Sequence, residues 1–334
     1  MNMIQKIKDA GLTGRGGAGF PTGAKWEAVK NAPGEKKYII VNGSEGEPGV
    51  LKDGFILENY PEELISGVKV ALETFPNSEA YIYLRKDYYD KYRSKLIELS
   101  SDLSITLTRE PGGYLCGEES TLIESIEGHR FEPRMKPPFP TERGLHGFPT
   151  LINNLETFYW ISKISKDEYH GNRFYSITGD IDNPGVFEFS EDWPIEKILK
   201  ETKNFLGESF FVQAGGGASG KILTQEELGE KVGGAGSIIV YDKKKTDPKK
   251  LMKKWIDFYF GENCGKCVPC REGVYRIKEI LDSPARNASQ GDAGGDNIDL
   301  EKLKDIIFVL KETSFCPLGK GVSVPFESFL EKIY

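Results

Sequence analysis

The chain has 334 residues, 38% of them hydrophobic, 11% aromatic and 28% charged, a balance that fits two or three packed domains and excludes a disordered chain or an integral membrane protein. Forty-four lysines and arginines against 51 aspartates and glutamates leave a formal net charge of −7, which excludes a nonspecific nucleic-acid binder; a nucleotide phosphate has to be held by backbone amides and a few placed cations. No run approaches the roughly 20 apolar residues of a spanning helix, and the segment from Met1 to Ala10 has two lysines but no apolar core, so no secretory leader is expected.

The first distinctive segment is Gly14-Arg15-Gly16-Gly17-Ala18-Gly19, preceded by a short helical turn from Ile4 to Ala10 and followed by Phe20, Lys25 and Trp26. Lys37 to Asn42 reads as a buried strand that ends in the polar run Gly43-Ser44-Glu45-Gly46-Glu47-Pro48-Gly49. Pro61 to Phe75 has helical spacing, with Leu64, Ile65, Val68, Ala71 and Leu72 on one face. A strand from Glu79 to Leu84 and a helix from Tyr88 to Leu99 come next, so an open α/β sheet is expected up to about residue 170.

Beyond that point the texture changes. Phe174–Ile177 and Val186–Phe189 flank a turn-rich segment and read as a hairpin, Pro194 to Glu201 as a short helix, and Phe210–Gln213 and Ser237–Tyr241 as further strands. Residues 172–245 are thus expected to form a small β-rich domain with one helix. Four amphipathic helices are expected in the remainder, over Lys250–Phe260, Arg271–Leu281, Leu300–Lys311 and Pro325–Ile333, with a loop from Ser283 to Asn297.

Five cysteines is an odd number, and three fall within seven residues, Cys264, Cys267 and Cys270, with Cys316-Pro317 far downstream. A disulfide framework does not look like this, and a reducing, cytoplasmic setting is expected. Three close thiolates and a remote fourth followed by proline follow the logic of [4Fe–4S] ligation. Zinc is the alternative, although structural zinc usually takes two separated pairs, and unligated buried cysteines are the second alternative. A helix beginning near Arg271 would aim its amides at the cluster.

Two further segments suit a nucleotide. Glu118 and Glu119 open a helix whose apolar face is Leu122, Ile123 and Ile126, and Asn153 and Asn154 precede another helix, Leu155 to Ile164. Acidic residues in a first turn and asparagine N-caps are ordinary helix chemistry, and a helix N-terminus is also where a phosphate can sit. The proline strip from Arg134 to Pro140 reads as an extended polyproline-like ribbon with Lys136 and Phe139 on one side; the alternative is a rigid surface linker. The glycine loop matches G-x-G-x-x-G, but the usual dinucleotide fingerprint needs a strand before it, and here a helical turn precedes.

With these segments in order and the cysteine set behind them, the chain resembles the 51-kDa-type flavoprotein subunit of NADH dehydrogenases of the respiratory complex I kind and the diaphorase subunits of NAD-linked hydrogenases and formate dehydrogenases. The resemblance implies an α/β Rossmann-like FMN domain (residues 1–172), a ubiquitin-like β-grasp domain (173–245) and a C-terminal four-helix bundle carrying a [4Fe–4S] cluster (246–334). It implies FMN contacts at Gly14, Arg15, Gly16, Lys25, Asn42, Glu45, Tyr114, Gly117, Glu118, Asn153 and Asn154. NADH contacts are implied at Phe20, Lys25, Glu47, Glu119, Lys136 and Phe139, with Phe20 and Phe139 against the adenine and Glu119 near its ribose, where a carboxylate favours NADH over NADPH. The implied cluster ligands are Cys264, Cys267, Cys270 and Cys316.

By the same resemblance, hydride passes from NADH to FMN without a general base. Electrons then leave singly to a thioredoxin-like [2Fe–2S] subunit and a larger redox complex, and Cys116 is a packing residue. The chain departs from the family at Asn42-Gly43-Ser44-Glu45, where complex I subunits typically have Asn-Ala-Asp-Glu, and at Ala28, where an aromatic is often found. These departures motivate one alternative, a non-catalytic iron–sulfur scaffold subunit without nucleotide binding; a subunit of an electron-bifurcating complex is a further alternative.

Overall fold

Two sheets and a set of C-terminal helices make up the protein, seen in a computed structural model that describes residues 2–207, 209–283 and 298–334. The loop expected at Ser283–Asn297 lies, apart from Ser283, outside the described residues. No helix among the described residues is long and apolar enough to cross a membrane.

The N-terminal part runs α1 (Met3–Asp9), α2 (Thr22–Asn31), β1 (Lys37–Gly43), α3 (Lys52–Asn59), α4 (Pro61–Thr74), β2 (Ser78–Leu84), α5 (Lys86–Leu99), β3 (Ile105–Arg109), α6 (Glu119–Ile126), α7 (Pro140–Arg143), β4 (Thr150–Asn154) and α8 (Leu155–Ser165). Its sheet has the order β3-β2-β1-β4, with every pair parallel, Val41 facing Ile82 on one side and Asn153 on the other. Both faces are covered, as a parallel sheet requires. Ile39 and Val41 pack into one core with Trp26, Leu64 and Phe158, while Tyr38 and Ile40 point the other way, to Leu122, Ile123 and Ile152. The expected face of α4 is buried at Leu64, Ile65, Val68 and Ala71 and half-buried at Leu72, and Pro61 starts the helix where no amide hydrogen is needed.

The second sheet comprises β5 (Asn172–Gly179), β6 (Gly185–Ser190), β7 (Phe210–Ala214), β8 (Lys221–Leu223) and β9 (Ser237–Asp242), in the order β6-β5-β9-β7-β8, with α9 (Ile195–Glu201) between β6 and β7. Only the β5–β9 pair is parallel. Tyr175, Ile177, Ile198, Leu199, Val212 and Val240 form its core. The C-terminal part holds α10 (Pro248–Glu262), α11 (Val268–Asp282), α12 (Leu300–Thr313), the short α13 (Pro317–Gly321) and α14 (Ser323–Lys332), packed around Trp255, Ile256, Val274, Ile307, Phe326 and Phe329.

Several elements go beyond the sequence reading: α2, α3, β3, β4, β8 and α13. The proline strip also differs. It bends at residues 136–138, and the Lys136–Pro137 and Pro137–Pro138 bonds are cis, so it is not the expected three-per-turn ribbon. Finally, α11 begins at Val268 rather than near Arg271, which brings Cys270 into its first turn.

Candidate functional site

In the parallel sheet, β2 and β3 lie to one side of β1 and β4 to the other, so the chain reverses its direction of travel between β1 and β4. A crevice opens at the carboxyl ends of strands at such a reversal. Here it is a cavity of about 1050 Å³, at the upper end of the size of small-molecule sites. Gly14, Arg15, Gly16, Lys25, Asn42, Glu45, Tyr114, Gly117, Glu118, Asn153 and Asn154 all line it, and so do Phe20, Glu47, Glu119, Lys136 and Phe139.

The glycine loop forms one wall. Helix α1 precedes it, and an isolated bridge between Thr13 and Pro21 closes its base. Gly17 has φ of +116°, which a side chain would resist, and nothing stands within 4 Å of the place a Cβ would occupy, so the loop offers bare backbone to the cavity. Arg15 is turned away: its guanidinium meets Glu191 at 2.7 Å and the Tyr169 hydroxyl at 2.9 Å, leaving its main chain to the cavity wall. Phe20 and Phe139 hold their rings about half exposed in the same cavity, at 53% and 51%.

The carboxylates of the wall are already bonded. Glu45, in the loop after β1, accepts from the Asp53 and Gly54 amides at the start of α3 and from the Tyr88 hydroxyl at 2.7 Å; burial, then the neighbouring Asp53, raises its pKa to about 7. Glu47 accepts from the Ala218 and Ser219 amides at 2.9 and 3.0 Å and from the Tyr114 hydroxyl at 2.6 Å, tying the β1 loop to the loop after β7. A Cβ on Gly216 would lie 2.2 Å from the Glu47 carboxylate, so this approach requires glycine. Glu118 caps α6 through the Ser120 and Thr121 amides. Lys136 bridges Glu118 and Glu119, at 2.8 Å from each, and against the upward push of burial it helps hold the Glu118 carboxyl below the usual range. Lys25 stands 3.5 Å from Glu119 and donates to Ile152 O.

Residues the sequence reading passed over also line the cavity. Lys52 and Asp53 are buried and paired at 2.5 Å; Lys52 also donates to Asn154 Oδ1 at 3.0 Å and faces Glu156 at 3.4 Å. Burial alone would depress Lys52, but Asp53, Glu156 and Glu45 hold its pKa above the ordinary value. Their signal in the sequence is a charged pair that follows Pro48-Gly49-Val50-Leu51 and leads into the apolar run Phe55-Ile56-Leu57. Gly215, Ser219, Gly233 and Gly234, from loops flanking the strands of the second sheet, also line the cavity, as does the small side chain of Ala28.

The cavity ends against Pro317 and Leu318, adjoining Cys316. Cys270 is buried and Cys264, Cys267 and Cys316 half-buried on the same core, with all of them unpaired. Cys267 and Cys316 precede helices that carry proline within their first two positions, Pro269 in α11 and Pro317 in α13, and the Leu318 and Gly319 amides point at the Cys316 sulfur. Burial, then the charges of Cys267, Cys316 and Cys264, pushes the Cys270 thiol up to about 12, so four thiolates here require a compensating cation. Thiolates sharing one zinc at about 2.3 Å would stand about 3.8 Å apart. No three of these sulfurs lie within 4.8 Å of one another; among the described residues only Glu124, Glu127 and His129 gather so tightly, and both those glutamates are paired with Arg134. Four thiols gathered on one core form a donor set that suits an iron–sulfur cluster.

Comparison with known proteins agrees with this chemistry. Residues 7–163 match the Nuo51 FMN-binding domain, and residues 250–333 match the iron–sulfur binding region of NADH-ubiquinone oxidoreductase F. The F subunit of NADH-quinone oxidoreductase of Streptomyces coelicolor is 33% identical over 99% of this chain and 81% of that protein. The F 2 subunit of the same enzyme in Rhizobium meliloti is 32% identical over 98% of this chain and 86% of that protein. Among solved structures, a chain of an NAD+-reducing [NiFe]-hydrogenase in its H2-reduced state superposes with a TM-score of 0.87 at 30% identity, covering 98% of this chain and 60% of that one.

Proposed function

Because the chain belongs to the family of NADH-quinone oxidoreductase F subunits, we propose that it oxidises NADH through FMN and passes the electrons singly, through a [4Fe–4S] cluster, to a partner iron–sulfur protein. The reading is carried above all by one cavity, lined by every residue expected to touch flavin or NADH and ending against the residues beside Cys316. When bound, FMN supplies a hydride acceptor that can release an electron pair one at a time, and the cluster supplies a one-electron carrier.

The chain's own residues bind, orient and exclude water. The loop from Gly14 to Gly19 would approach the flavin with bare backbone. Asn42, Asn153 and Asn154 at the strand ends, with Lys25, Glu45, Tyr114, Gly117 and Glu118, would hold its polar edges. Phe20 and Phe139 would flank the adenine, Glu119 would accept from the ribose hydroxyls, and Glu47 and Lys136 would fix the remainder of NADH. No side chain is given a proton-transfer role, because holding donor and acceptor in register is the catalytic task.

The wider assignments belong to the same proposal. Residues 1–172 are the FMN- and NADH-binding domain, 173–245 a β-grasp domain, and 246–334 a four-helix bundle that holds the cluster. The mixed five-stranded sheet with its single α-helix and its own core, and a second core drawn mainly from the C-terminal helices but joined by Leu115, Phe211, Ala218 and Ile222, support this division. The electron acceptor is a thioredoxin-like [2Fe–2S] subunit within a larger redox complex, and the unpaired thiols suit a cytoplasmic location.

An absorbance spectrum of the reconstituted protein, taken anaerobically before and after NADH, tests the proposal. The flavin band should bleach. A flavin-free spectrum showing only a broad iron–sulfur band would leave a scaffold subunit instead.

A further inference from the structure

Ser44 follows β1 and lines the cavity, and its hydroxyl donates to a carboxylate oxygen of Glu110. Glu110 lies just after β3, is only 7% exposed, and sits behind Ser44 rather than in the cavity wall. Both partners are fixed by their main chains. The Glu110 amide donates to Leu84 O at 2.8 Å, and the Ser44 amide donates to Asn42 Oδ1 at 3.1 Å. Asn42 in turn donates to Gly117 O at 2.8 Å, so Ser44 stands in the stretch of wall already assigned to the flavin.

A free serine hydroxyl can give or accept a hydrogen bond, whereas an ionised carboxylate can only accept. The Ser44 hydrogen is therefore committed to Glu110, and lone pairs are what remain for a ligand. The distinction matters for an isoalloxazine ring, whose oxidised form carries a single ring N–H between two carbonyls: an acceptor and a donor at one spot are met by different edges. Resting on the flavin reading above, we propose that Glu110 is a positioning residue that locks the Ser44 hydroxyl as an acceptor, so that this wall selects an N–H edge of the flavin. A carboxylate absent from position 44 is thereby replaced from behind, by a neutral acceptor that a buried charge polarises.

Protonation reverses the pair. A neutral Glu110 has its own O–H to donate to Ser44, and the serine hydrogen then turns toward the cavity. Burial raises the Glu110 pKa, against the hydroxyl of Ser44 and the charge of Arg85, which lower it. Asp87 in α5 and Glu262 in α10 face it with like charge, and Tyr83 in β2 and Cys116 also feel its charge.

The test is FMN affinity, read by quenching of flavin fluorescence on the full-length, flavin-stripped protein with its cluster intact. At pH 8, Ser44→Ala and Glu110→Gln should each weaken binding about tenfold, the loss of roughly one hydrogen bond. The double variant should be no weaker than Ser44→Ala alone, and Ser44→Thr, which keeps the hydroxyl, should bind like the wild type. Between pH 8 and pH 5 the wild type should lose more affinity than Glu110→Gln; the flavin phosphate titrates alike in both and cancels. An unchanged iron–sulfur spectrum reports that each variant is folded. Additive losses, or matching pH profiles, overturn the inference while leaving the function intact. A wild-type protein that takes up no FMN overturns the function itself.

Discussion

Glu45, Glu47, Glu118 and Glu119 in the cavity wall all hold hydrogen-bond or ion-pair partners within the protein, whereas Cys270 feels chiefly burial and the charge of the other three cysteines, and Cys316 meets the Leu318 and Gly319 amides. The cavity is assembled from segments far apart in the chain, and its polar groups serve the fold as well as a ligand. The cysteine corner is mostly one short stretch, and its four thiols gather against a single core. Damage to the wall should therefore spread into stability, and damage at the cysteines should stay with the metal.

The largest effect sharpens that contrast. Cys316→Ser should abolish iron binding, measured as iron per protein, while FMN uptake persists; parallel loss of the flavin would show that the two sites are not separable. Glu47→Ala comes next. It strands the half-buried Tyr114 hydroxyl and the Ala218 and Ser219 amides, and should cost about 2–4 kcal/mol in denaturant unfolding. A loss confined to NADH affinity would contradict the structural half of its role.

Glu45 tests the wall through pH. Burial raises its pKa to about 7 from 4.5, so the folded state favours the protonated carboxyl. That contribution is complete below pH 4.5 and is lost as pH rises through about 7. Glu45→Gln, neutral throughout, should flatten the stability profile across this window by up to about 3 kcal/mol. An unchanged profile would place the titration elsewhere. Smallest is Phe139→Ala: the half-exposed ring supports little of the fold, so KM for NADH should rise about tenfold, the worth of one aromatic contact, with Tm unchanged.

The same contrast decides what could be read from the sequence. The cysteine spacing and the run Gly43 to Gly49 are local, and local spacing survives in one dimension. Strand β4 does not, because Asn154 both ends that strand and caps α8, accepting from the Glu156 amide at 3.0 Å, so its asparagines read as a helix start. Lys52 and Asp53 look like surface charges until burial shows them satisfying each other. Glu110 and the loop after β7 reach the site only through tertiary packing, which no spacing rule encodes. The proline strip failed for a different reason: residue type suggested an extended ribbon, and the chain bends there while still bringing Lys136 and Phe139 to one cavity.

The most direct measurement is a rapid anaerobic mix of the reconstituted protein with one equivalent of NADH, following flavin absorbance and the paramagnetic signal of the reduced cluster together. The account predicts that flavin colour is lost first, that the cluster signal follows, and that Cys316→Ser keeps the first event and loses the second. Cluster reduction at the same rate in flavin-stripped protein would contradict it.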